Sequence, residues 1–99
     1  MLENDLRGLN RSAGKLESPA LEERLVAMIG KELMQLPAGF DFDADLYRAG
    51  LDSMALMRLL ILIENHFGLM LAESDLSREN FASIRNIAGL IRNRLQEKH

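Results

Sequence analysis

The sequence predicts an all-α domain: a small antiparallel bundle of three main helices, one short helix and one long connection. Two observations lead there. Apolar residues recur at helical spacing in three separate stretches, each bounded by capping or breaking residues. Strand-like alternation is confined to one short run, "FDFDAD", residues 40–45. The length, 99 residues, suits one small core and not two.

The elements follow in order. Residues 1–17 mix Gly, Asn, Ser and charges without periodicity and read as a flexible leader, leaving 18–99 as the folded domain. Ser18 is placed to cap a first helix, with Pro19 at its first position, where a missing N–H costs nothing. Leu21, Leu25, Met28, Ile29, Leu33 and Leu36 form its inner stripe, and Pro37 and Gly39 are expected to stop it. The connection "AGFDFDADLYRAGLD" is too apolar to float free, so Phe40, Phe42, Leu46 and Tyr47 are expected to pin it across the helices. A second main helix runs from Ser53 to Phe67 and ends at Gly68. "AESDLSRENF" then offers one or two short helical turns. Ser83 caps a final helix with Ile84, Ile87, Ala88, Ile91 and Leu95 inward. Arg92, Arg94 and Lys98 gather near its end, where cations complement the helix dipole.

Composition excludes several function classes. Hydrophobic residues make up 47% and charged residues 27%, the balance of a globular protein, and no apolar run is long enough to span a membrane. The N-terminus lacks an apolar core before a small-residue cleavage site, so no secretion signal is expected, and a cytoplasmic location is. The absence of cysteine removes disulfides, thiolate metal sites and a catalytic thiol. His66 and His99 are too far apart in sequence to suggest a metal site, and a net charge of −3 gives no reason to expect nucleic acid as a partner. A monomer is expected.

The second main helix carries two apolar stripes. Leu56, Leu59, Leu60, Ile63 and Phe67 fall within a sector about 100° wide, suited to a bundle core. Met54, Met57 and Ile61 form another stripe about 150° away, flanked by Arg58 and Asn65. The second stripe is open to two accounts at this point. It is buried like the first, or it stays exposed beside Ser53 and docks on partners, a use for which methionine is well suited.

Ser53 stands at the head of this helix, in "YRAGLDSMALMRLLILIENHFGLML". A hydroxyl there is explained by capping alone, which would make Ser53→Ala cost about 1 kcal/mol. The stretch also resembles the second-helix region of carrier proteins that hold a substrate on a 4′-phosphopantetheine arm. The shared frame is Gly50, Leu51, Asp52, Ser53 and Met54, followed by Glu64, Phe67 and Gly68. The resemblance covers roughly residues 19 to 97 and implies an acyl-carrier-protein type of four-helix bundle. It implies further that Ser53, flanked by Asp52, accepts the arm from coenzyme A through a phosphopantetheinyl transferase. An acyl or aminoacyl group would then ride as a thioester on the arm, which supplies the thiol this chain lacks. The implied partners are that transferase, an acyl- or amino-acid-activating ligase and a downstream transferase, with Met54, Met57, Arg58 and Ile61 as partner-binding residues. A serine hydroxyl is a poor nucleophile unaided and no base stands near it in sequence, so a carrier is expected and not a catalyst.

In one respect the sequence departs from fatty-acid carriers, whose second helix is usually acidic and read by basic patches on their enzymes. Here Glu64 is the single acidic residue of that helix, and Arg58 sits on the docking side. The following stretch "LILIENHFGLMLAESDLSRENFASIRNIAGLI", residues 60–91, is more similar to free-standing carriers loaded with amino acids, including the D-alanyl carrier group. The alternative from another class is an arm-free helical interaction module.

Two further patterns carry less. Asp41, Asp43, Asp45 and Asp52 have the spacing of a calcium loop, but Leu46 replaces its central glycine and the last position lacks Glu, so they are expected to form the wet side of a pinned loop. Arg85, Arg92, Arg94 and Lys98 are expected on an exposed helical face, and His66 on the surface near a helix end.

Overall fold

The computed structural model describes residues 19–97; the expected leader, Ser18, Lys98 and His99 lie outside the described residues. The described chain is helical without strands: α1 (Ala20–Glu32), α2 (Leu46–Ala49), α3 (Ser53–Phe67) and α4 (Ile84–Glu97). Two 3₁₀ turns, Glu73–Asp75 and Glu79–Phe81, stand between α3 and α4 where the short helix was expected. None of the helices is long and apolar enough to cross a membrane.

Helix α1 differs from expectation at both ends. Pro19 is its N-cap residue and not its first helical one, and its carbonyl already accepts from the Glu23 N–H at 2.8 Å. The helix stops at Glu32, short of Leu36. The N–H groups of Leu33 and Met34 both donate to the Ile29 carbonyl, at 2.9 and 3.0 Å, which widens the last turn and releases the chain. Pro37 disfavours helical geometry at Leu36, so the chain must leave the helix before it. Leu33 and Leu36 stay half-buried against the core all the same.

The long connection is pinned as its aromatics predict. Phe40, Phe42 and Tyr47 are half-buried against the core, and Leu46 is fully buried. Its backbone is also stitched down: the Leu46 N–H donates to the Ala82 carbonyl at 2.8 Å, and the Arg85 N–H to the Phe42 carbonyl at 2.9 Å. The single turn α2 within it was not foreseen. It is started by Asp45, whose carboxylate accepts from the Tyr47 N–H at 2.9 Å.

The core draws on all four helices and the second 3₁₀ turn. Leu25 and Ile29 from α1, Leu46 from α2, Leu59 and Ile63 from α3, Phe81 from the second 3₁₀ turn, and Ile84, Ile87 and Ile91 from α4 are completely enclosed. Full burial of such side chains stabilises by about 1.5–3 kcal/mol each. On α4, Ser83 caps as expected, its Oγ accepting from the Asn86 N–H at 3.1 Å.

Arg85 and Arg92 of α4 are exposed as expected and Arg94 is half-buried, and all three are also ion-pair anchors. Arg92 grips Glu22 with two bonds of 2.9 and 3.0 Å, tying the start of α1 to the second half of α4 and fixing that pair antiparallel. Arg94 grips Asp75 at 2.7 and 2.8 Å, and Arg85 reaches Asp43 at 2.7 Å. Each arginine thus fixes a different segment to the last helix. The facing guanidinium holds the carboxyls of Glu22, Asp75 and Asp43 below the usual carboxylate range.

Candidate functional site

The site is the entry to α3. Gly50 ends α2 at φ 124°, a conformation that side chains rarely adopt, and it turns the chain into Leu51–Asp52–Ser53. Leu51 is buried and nails this corner to the core. Asp52 follows in extended conformation as the N-cap of α3, its carboxylate accepting from the Ala55 N–H at 2.9 Å. Ser53 is the first residue of the helix itself, exposed, with no side-chain hydrogen bond among the described residues. The expectation that Ser53 caps the helix is therefore corrected. Asp52 does that work, and a residue one position into the helix has its side chain past the open amides.

Two consequences follow for the chemistry. The Ser53 hydroxyl is spent on nothing structural. The N–H groups of Ser53 and Met54, in the first turn, have no intrahelical acceptor and add to the positive end of the helix dipole. No histidine or carboxylate is bonded to the Ser53 Oγ among the described residues, so none of these activates it as a nucleophile. His66 lies at the far end of α3, exposed as expected, with its Nε2 3.0 Å from Glu32.

The two stripes of α3 separate. Leu59, Leu60 and Ile63 are buried, with Leu56 and Phe67 half-buried beside them. Met54, Met57 and Ile61 are 77%, 59% and 56% exposed, against a core face at 9% or less for Leu60. Arg58 is exposed on the same outward side. The structure thus brings Ser53, Met54, Met57, Arg58 and Ile61 together along one solvent-facing strip. Glu64 is not part of that strip in any active sense. It is half-buried, and its carboxylate accepts from the Leu71 N–H at 3.2 Å, holding the chain that leaves α3 through the left-handed Gly68.

Arg48 is a residue that sequence reasoning missed. It is exposed on α2, five residues before Ser53, and helical spacing gave no signal for it because its helix is one turn long. The aspartates of the connection have separate structural partners. Asp41 accepts from the Asp43 N–H, Asp43 faces Arg85, Asp45 caps α2 and Asp52 caps α3. No cluster suited to a metal ion occurs among the described residues.

Comparison with known proteins agrees with this geometry. The family described as the phosphopantetheine attachment site matches residues 23–91, which takes in α1 to α4 and the corner at Ser53. An aminoacyl carrier protein of Agrobacterium fabrum (strain C58) is 39% identical over 61 residues, covering 59% of this chain and 74% of that protein. Members of this family are carriers and not enzymes, and their attached group is phosphopantetheine. By a family match across most of its folded residues and by this relative, the chain belongs to the phosphopantetheine-dependent carrier proteins.

Proposed function

We propose that Ser53 bears the phosphopantetheine arm and that the protein carries an amino acid on it as a thioester. The observation that carries this reading is the free, exposed Ser53 hydroxyl at the head of a helix capped by its neighbour Asp52. The site suits a phosphodiester. The open N–H groups of Ser53 and Met54 and the helix dipole favour an anion there, and no carboxylate but the capping Asp52 adjoins it in sequence. The arm supplies a thiol, a group that this chain lacks. No described residue activates Ser53, and the reading assigns that step to a phosphopantetheinyl transferase.

The choice of an amino acid over a fatty acyl group rests on α3 and on the relative's name. Arg58 is exposed while Glu64 is drawn inward, so α3 lacks the acidic face that fatty-acid enzymes read. Met54, Met57 and Ile61 supply a rigid apolar strip next to the arm, on which an amino-acid-activating ligase and then a downstream transferase would dock as cytoplasmic partners. The test is loading of the arm-bearing protein by candidate amino-acid ligases and, separately, by a fatty-acid malonyl transferase. Amino acid should be retained through acid quench, released by hydroxylamine and absent from Ser53→Ala. Efficient malonyl loading with no aminoacylation contradicts the amino-acid reading.

A further inference from the structure

We propose that Arg48 and Arg58 form a cationic clasp that selects partner enzymes whose docking surface is an apolar recess rimmed by carboxylates. The inference deepens the reading of Ser53 as the attachment residue and rests on it.

The clasp emerges from what the other arginines do. Seven arginines lie among the described residues. Arg85, Arg92 and Arg94 are ion-paired; Arg24 lies over the Phe67 ring and donates to the His66 carbonyl; Arg78 lies over the Tyr47 ring. Arg48 and Arg58 alone among them have no partner, and both are exposed. They stand five residues on either side of Ser53. The fold therefore commits its other described guanidinium groups to holding segments together and leaves two uncommitted, one on each side of Ser53 in the chain.

None of the described acids forms an ion pair with either arginine. Asp45 and Asp52, the carboxylates closest to them in sequence, cap α2 and α3. Glu64 accepts from the backbone of Leu71. Arg58 follows Ser53 on α3 by about 7.5 Å along the axis, close to the Debye length of about 8 Å at physiological salt. Its charge and the positive end of the α3 dipole thus act on the same approaching surface, and Arg48 stands exposed on the short helix that leads into it.

A guanidinium pairs best with a carboxylate, through two parallel bonds, so the matching groups on the partner are Asp or Glu. Charge of this kind at the rim governs encounter and partner choice, while the apolar strip between supplies the contact area. A second copy of the chain cannot fill this role. Its corresponding face presents the same two unpaired arginines and not a rim of carboxylates.

The test uses the full-length protein, saturating coenzyme A and two forms of one phosphopantetheinyl transferase. One form has a docking rim of Lys and Arg; the other has those residues replaced by Glu. Attachment is followed by intact mass, and the KM for the carrier is measured. The parent protein should show a KM at least tenfold lower with the Glu-rimmed form. The Arg48→Glu, Arg58→Glu double variant should invert that preference. Arg48→Lys with Arg58→Lys should retain it, and raised salt should erode it. Denaturation midpoints should be unchanged throughout, since neither arginine has a partner among the described residues. The proposal is overturned if the parent prefers the basic rim, or if charge reversal changes the KM ratio by less than twofold. It is overturned equally by sedimentation as a dimer that Ile61→Glu splits, because a second copy would then occupy the face. Absence of any mass gain on any variant is a separate result; it removes Ser53 as the attachment residue and the clasp with it.

Discussion

Asp52 and Ser53 are neighbours with opposite roles, and substitution separates them. The Asp52 carboxylate closes the first turn of α3 through the Ala55 N–H at 2.9 Å, whereas the Ser53 hydroxyl makes no bond among the described residues. Replacing an N-cap aspartate by alanine costs about 0.5–2 kcal/mol, and losing its charge at the positive helix end costs about 0.3–1 kcal/mol more on the exposed surface. Asp52→Ala should therefore lose about 1–2.5 kcal/mol. Asp52→Asn, which keeps the cap and drops the charge, should lose less than about 1 kcal/mol. Ser53→Ala should stay within about 0.5 kcal/mol of the parent, as surface substitutions without a structural contact do. For a domain of this size each kcal/mol moves the melting temperature by about 4–8 °C. Thermal and urea denaturation of the arm-free forms at pH 7 would read the order directly. If Ser53→Ala loses as much stability as Asp52→Ala, the hydroxyl is structural and the division of labour at this corner is wrong.

Further outcomes follow from the packing. Leu60→Ala and Ile63→Ala should each cost about 2–5 kcal/mol by opening cavities, while Met57→Ala and Ile61→Ala should cost under about 0.5 kcal/mol yet slow loading by the cognate ligase. Equal destabilisation of both sets in urea would mean that the Met54–Met57–Ile61 strip is core. Gly50→Ala should cost about 1–3 kcal/mol, because φ of 124° strains any side chain, and it should also slow attachment by shifting the corner that presents Ser53; urea denaturation and intact mass over time read the two effects. Glu22→Gln should cost about 1.5–3 kcal/mol at pH 7, where the carboxylate bonds Arg92 twice. Because the Arg92 guanidinium holds the Glu22 carboxyl below its ordinary value in the fold, its contribution is complete above that ordinary value. It is lost as pH falls through the lowered folded value. Melting curves of parent and variant should converge in acid, and a gap that widens below pH 4.5 would contradict the ion pair.

The parts of this molecule legible in the sequence are those set by local rules. Helix α3 could be bounded to the residue because Gly68 supplies a left-handed stop and its two stripes are both strongly periodic. Ser83 announced α4 for the same reason. The end of α1 was misplaced because its apolar spacing continues to Leu36, while the backbone leaves the helix and still delivers those side chains to the core. Helix α2 and the two 3₁₀ turns are too short to show a period. The frame at Gly50–Ser53 was visible, but which of two adjacent polar side chains caps the helix depends on one backbone register. The exposure of the methionine strip and the pairing of the α4 arginines were out of reach, since both depend on what other segments place opposite them.

The central claim is that Ser53 carries the arm, and one measurement meets it most directly. The full-length protein is incubated with coenzyme A and a broad-specificity phosphopantetheinyl transferase, weighed intact, digested and mapped. The account predicts the added mass of one phosphopantetheine, located on the peptide containing Ser53 and absent from Ser53→Ala. An unchanged mass with several transferases, or the same addition mapped to another serine, would contradict it.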